Sequence, residues 1–145
     1  MSKRNIHGLI RFLPFLLLLC STLSAVESAP CQIALIGKNV RPIIISSNAS
    51  ENVKNSAKEL AEFIGKLSSS TVEVKVGDGS HGIVLGQAKD FTSLPFKSSF
   101  KEGPFNREDY QLRSDKNGLW ILGASDLAVS HAVWDVLYRL GVRQY

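Results

Sequence analysis

Cysteine is scarce in this chain, with Cys20 and Cys31 its only two. Cys20 falls in an N-terminal leader, so Cys31 keeps no intramolecular partner and a disulfide scaffold is excluded. Near the start of the mature chain and without a local activating group, Cys31 reads as inert rather than nucleophilic. Also missing is an apolar run of the roughly 20 residues that a membrane span requires. The longest run, Phe12 to Leu19, is shorter and is interrupted by Pro14. It is flanked by Lys3, Arg4 and Arg11 and followed by small residues up to Ala25. That plan predicts a secretory signal peptide over residues 1–25, cleaved most simply after Ala25, and a secreted or periplasmic product with no membrane contact after cleavage. Leu19 before Cys20 departs from the small residue normal in a lipoprotein box.

Strong charge is missing too. The 17 Lys and Arg exceed the 13 Asp and Glu, but three of the basic residues belong to the leader, so the mature chain carries about +1. No basic cluster with interleaved aromatics remains, which excludes a nucleic-acid footprint. Without disulfides the fold must rest on a hydrophobic core. About 120 mature residues suffice for one domain and leave no room for a second of ordinary size.

What is present is a sequence of short apolar runs and two helical stripes. Ile33-Ala34-Leu35-Ile36 and Pro42-Ile43-Ile44-Ile45 read as strands around a Gly37-Lys38-Asn39 turn. Val53, Ala57, Leu60, Ile64 and Leu67 recur at helical spacing, with Lys54, Lys58, Glu62 and Lys66 on the other side. Asn48 with Glu51 is expected to start this helix as a capping box. Asn48-Ala49-Ser50 is also a glycosylation sequon. Thr71 to Val76 alternates, as a strand with one wet face does. Gly82-Ile83-Val84-Leu85-Gly86 is apolar throughout and predicts a central strand covered on both faces.

Residues 87–109 show no period and carry Phe91, Phe96, Phe100 and Phe105 beside Pro95 and Pro104. These rings could cover a sheet face, dock on a partner domain, or line a ligand surface. Tyr110 to Arg113 and Leu119 to Leu122 flank Asn117-Gly118, which predicts a hairpin turning at that dipeptide. Ser125 and Asp126 offer capping oxygens to a second helix with the stripe Val129, Val133, Val136, Leu137 and Leu140, ended by Gly141. Without strict βαβ alternation, the order favours an α+β fold: a mixed or antiparallel sheet with two helices packed on one face.

Chemistry-bearing groups are few. His131 and Asp135 stand four apart on the second helix and could meet as an acid–base or metal pair, or could simply belong to its solvated face with Arg139. Glu108 and Asp109 are adjacent and would point to opposite sides of a strand. His81 reads as a turn residue, and Gly77-Asp78-Gly79 with Gly82 reproduces neither a dinucleotide nor a P-loop pattern. No catalytic constellation, metal site or cofactor site is legible, so the chain alone is expected not to be an enzyme and to need no cofactor. Trp134 and Tyr138, four apart, could stack on a sugar or pack between domains.

With these pieces placed, residues 33–145 resemble the N-terminal α+β domain of extracellular glycoside hydrolases. They are similar to the N-terminal domain of family-67 α-glucuronidases and to the equivalent domain of family-20 β-N-acetylhexosaminidases. The resemblance is carried by Ser56-Ala57-Lys58-Glu59-Leu60-Ala61-Glu62-Phe63-Ile64, Gly82-Ile83-Val84-Leu85-Gly86, Leu119-Trp120-Ile121-Leu122-Gly123-Ala124-Ser125-Asp126 and Leu140-Gly141-Val142-Arg143. It implies a sheet with two helices ahead of a (β/α)₈ barrel that holds the catalytic carboxylates. About 120 residues cannot supply the roughly 250 of a barrel, so no catalytic residue has a position here. The expectation is a non-catalytic accessory domain whose partner is a barrel in cis. Trp120, Trp134, Tyr138, Arg143 and Tyr145 are its candidate glycan or interdomain contacts. The alternative is a self-standing secreted module that holds a polysaccharide through Trp120, Trp134, Tyr138 or the phenylalanines of residues 87–109. Gln144 stands where the relatives often carry a bulky aromatic.

Overall fold

The computed structural model describes residues 40–101 and 103–143; the leader, Cys31, the expected strand at 33–36 and Tyr145 lie outside them. The elements run β1 (Ile43–Ile45), α1 (Glu51–Ser68), β2 (Val74–Val76), β3 (Gly82–Gln87), β4 (Tyr110–Asp115), β5 (Gly118–Gly123) and α2 (Asp126–Arg139), with one 3₁₀ turn at Ala88–Asp90. The five strands form one sheet in the order β2-β1-β3-β5-β4. β2, β1, β3 and β5 are parallel, and β4 closes one edge antiparallel to β5. The class is α+β with a mixed sheet.

Strand periodicity sorts the side chains into two cores. Ile43, Ile45, Ile83, Leu85 and Ile121 face the helices and meet Val53, Ala57, Leu60 and Ile64 of α1 and Val129, Val133, Val136 and Leu137 of α2. Their alternate neighbours Ile44, Val84, Trp120 and Leu122 face the other way. Both helices therefore lie on one face, as their single apolar stripes require. The second face is covered by the irregular segment after β3: Phe91 is buried in it, and Leu94, Phe96 and Phe100 pack around it. Phe105 stands apart at 94% exposure. Covering the sheet is thus the work of three of the four phenylalanines. It makes β3 the doubly covered central strand that its composition predicts.

Local chemistry sets the element ends. The N-cap of α1 is Ser50, whose Oγ accepts from the Val53 N–H, and not Asn48. The Asn48 side chain is exposed, while its N–H donates to Ser46 Oγ at 3.1 Å. Two further Ser residues compete for the cap in Ser46-Ser47-Asn48-Ala49-Ser50, and the one in register with the apolar stripe wins. On the exposed face of α1, Lys66 meets Glu62 at 2.6 Å and Lys54 meets Glu51 at 3.6 Å. Ser125 caps α2 by accepting from the Ala128 N–H. Gly141 ends that helix at φ +95, with its N–H on Tyr138 O and the Val142 N–H on Leu137 O.

The hairpin differs from expectation. Asp115 pairs with Gly118, so the turn is Lys116-Asn117 and Gly118 is the first residue of β5. Neither Lys116 nor Asn117 has a positive φ. Asp115 Oδ1 holds the turn instead by accepting from the Asn117 N–H at 2.6 Å. The strand at 71–76 is also shorter than its alternation suggests: only Val74–Val76 pair, at the sheet edge opposite β4, and all three are exposed.

Candidate functional site

In parallel sheets, ligands gather outside the carboxyl ends of the strands, where neighbouring connections part. Here β1 leads through α1 to β2 on one side, while β3 lies on the other. Two helix N-termini, each with free N–H groups and a positive dipole end, reach the same edge. The anion between them comes from the chain itself. Asp126 Oδ2 accepts from the Ser50 hydroxyl at 2.6 Å, and Oδ1 accepts from Gln87 Nε2 at 2.7 Å. One carboxylate thus ties the starts of α1 and α2 to the end of β3. Nearby, burial raises the Asp90 carboxyl above its ordinary range; Lys89 opposes this and the Asp126 charge adds to it.

Beside this junction, under the segment that covers the second face, lies a crevice of about 460 Å³. Its lining includes Gln87, Lys89, Ser98, Lys101, Asn106 and Arg107. The Arg107 carbonyl accepts from the Ser125 hydroxyl. Its three cations are all exposed.

The aromatic candidates separate. Trp120 is fully buried, donates from its indole to Gly79 O at 2.8 Å, and meets Phe96 edge to face. It has no surface to offer a glycan or a neighbouring domain. Trp134 is half-buried on the helix face, with its ring 5.7 Å from that of Phe63 in a T-shaped pair that joins α2 to α1. Tyr138 and Arg143 come together: Tyr138 is 60% exposed, and the Arg143 guanidinium lies 3.9 Å from its ring centre. Arg143 is anchored there by donating to Tyr138 O at 2.7 Å. Leu140 is 40% exposed. It also lines a groove of about 310 Å³ with Leu112, Arg113, Leu119, Val136 and Arg139, between α2 and the hairpin. Tyr145 lies outside the described residues.

His131 and Asp135 do not form a pair. His131 Nδ1 is 4.0 Å from Glu108 Oε2, whereas Asp135 receives two hydrogen bonds from Arg139, each 3.0 Å, and one from the Tyr110 hydroxyl at 3.1 Å. The hydrogen bonds from Arg139 chiefly, and that from Tyr110, hold the Asp135 carboxyl below the ordinary carboxylate range; partial burial works against them. Burial first and the bond to Asp135 second push the Tyr110 phenol up. A carboxyl depressed by folding stabilises above its unfolded pKa of about 3.9 and loses that contribution as pH falls through the lower folded value. Asp135→Asn should therefore lower the melting temperature at neutral pH, and the gap to the unaltered chain should close in acid. A gap of constant size from pH 7 down would show that the charge is immaterial.

His81 Nδ1 lies 2.9 Å from Ser80 Oγ, which donates to Asp78 Oδ1 at 2.7 Å. Serine sits between the two rather than histidine, so the chain of contacts lacks the order in which a base activates a nucleophile. Hydrogen bonds from Ser80 chiefly hold Asp78 below the carboxylate range.

A further cleft, unread in the sequence, runs between the N-terminal halves of the helices. Asn52, Asn55, Ser56 and Glu59 of α1 face Asp126, Leu127 and Ser130 of α2 across about 550 Å³. The α1 residues follow the i, i+3, i+4, i+7 spacing of one helical stripe. The signal was present but lay flush beside the stronger apolar stripe.

Among the described residues no three His, Cys, Asp or Glu side chains gather as metal ligands, and no helix is long and apolar enough to cross a membrane. No family model matches the chain, and neither does any curated protein.

Proposed function

We propose that the chain is a non-catalytic accessory domain of an exported carbohydrate-active protein, packing against a (β/α)₈ glycosidase barrel in cis and supporting one wall of its substrate side. One observation carries the packing role. The C-terminal end of α2 exposes Tyr138 with Arg143 stacked on its ring, and exposes Leu140, which lines the groove over Leu112 and Leu119. Apolar surface rimmed by charge is what a neighbouring domain covers. Export is supported by the leader-like residues 1–25, and the carbohydrate context by the resemblance of residues 33–145.

The rival, a self-standing module that holds a glycan through Trp120, Trp134, Tyr138 or the phenylalanines of residues 87–109, loses the support of its two tryptophans. Trp120 is enclosed and Trp134 is engaged with Phe63. The coding sequence after the Tyr145 codon tests the proposal. An open frame of roughly 250 residues with the strand and helix alternation of a barrel is expected. A stop codon directly there would overturn packing in cis.

A further inference from the structure

The cleft between α1 and α2 has a composition that points to a particular ligand chemistry. Asn52, Asn55, Glu59 and Ser130 make no side-chain hydrogen bond or ion pair among the described residues. The two amides each donate and accept, the Ser130 hydroxyl does both, and the Glu59 carboxylate accepts. Leu127, 48% exposed, supplies methyl groups at the same surface. The lining holds two carboxylates and no cation, so phosphates, nucleotides and acidic polymers are repelled. An extended peptide is recognised through its backbone at a sheet edge, and two helix flanks present no such edge. A neutral ligand dense in hydroxyls, with apolar C–H faces, satisfies both parts of the lining. The cleft is also rigid at one end, because Asp126 is locked to Ser50 and Gln87, which limits the ordering cost of binding.

We infer that this inter-helix cleft binds a neutral saccharide, with Asn52, Asn55, Glu59 and Ser130 bonding its hydroxyls and Leu127 lying against a ring face. The inference deepens the carbohydrate part of the proposed function and rests on it, but uses none of the residues of the packing surface. It also departs from the aromatic platform that the sequence suggests.

The test is titration of the purified chain with xylohexaose and with cellohexaose, followed by amide chemical shifts in NMR. Saturable shifts at Asn52, Asn55, Leu127 and Ser130 are expected with at least one of the two, at equal affinity in low and high salt. Asn55→Ala combined with Glu59→Ala should weaken binding about tenfold or more, since two hydrogen bonds are lost. Tyr138→Ala should leave it unchanged. Both substituted positions are on the helix surface, and an unchanged melting temperature confirms that the fold is kept. Leu127→Ser provides a second variant with the same expected direction. No saturable shift with either hexasaccharide overturns the inference, as does undiminished affinity in the variants. Shifts centred on Lys89 and Lys101 would move the site to the other crevice and overturn it equally. None of these failures bears on packing against a barrel, which the reading frame decides separately.

Discussion

Trp120→Ala is expected to destabilise the chain by about 4 kcal/mol, the range for emptying a large core site. The side chain is fully buried and forms the centre of the second core, against Val84, Leu122, Phe91 and Phe96. Its indole N–H is also the partner of Gly79 O in the turn before β3, at 2.8 Å. Truncation would both open a cavity and orphan that carbonyl. Trp120→Phe, which keeps an apolar ring and removes the donor, should cost about half as much. Urea unfolding followed by circular dichroism measures both. If the alanine variant lost less than about 1 kcal/mol, the segment after β3 could not be forming a packed core with the sheet.

Gly118→Ala should cost about 3 kcal/mol, at the upper end of overpacking. A Cβ at this position would stand 2.2 Å from Gly82 O and 3.0 Å from Gly82 N. Both contacts are to backbone, so no side chain can rotate away. Gly82 pairs with Gly118 in the parallel β3–β5 ladder and has φ +94, which a residue with a side chain would adopt only under strain. Accepting the methyl group means prising apart the two central strands. Lys116→Ala, in the adjoining turn and exposed, should stay within about 0.5 kcal/mol. Thermal melts of the pair separate a requirement for close strand approach from a mere preference of the turn.

The Gly118 position also shows why part of the fold is hidden in the sequence. Asn-Gly is a turn signal because both residues tolerate positive φ, but glycine is equally what a close backbone approach demands. Only the position of β3, distant in the chain, decides between them. The strand and helix patterns escape this ambiguity because each is a repeated signal. Ile43 to Ile45, Ile83 to Leu85 and Trp120 to Leu122 are apolar on both sides and do become the doubly covered strands. The stripes of α1 and α2 become the buried helix faces except at their last members, Leu67 and Leu140, which are exposed. Single-residue assignments fare worse. Asn48 and Ser50 have the same capping chemistry two positions apart, and the burial of Val53 selects between them.

The candidate site was less legible still. A tryptophan has the same composition whether it holds a ligand or fills a core, and Trp120 fills a core. His131 and Asp135 have the right spacing, but Arg139 and Tyr110 compete for Asp135 with better geometry. The polar stripe of α1 acquires meaning only when Leu127 and Ser130 of α2 are set opposite it, which needs the tertiary fold.

The two faces of the sheet are sealed by different kinds of structure, and each contains one of the chain's two tryptophans. Trp134 belongs to α2 itself, at the seam with Phe63 of α1; Trp120 sits under an irregular strip with few main-chain hydrogen bonds of its own. Covers of that second sort detach in local openings well below the energy of global unfolding. The chain therefore carries two native fluorophores that report on separate events: Trp120 on the lifting of the strip, and Trp134 on the parting of the helices.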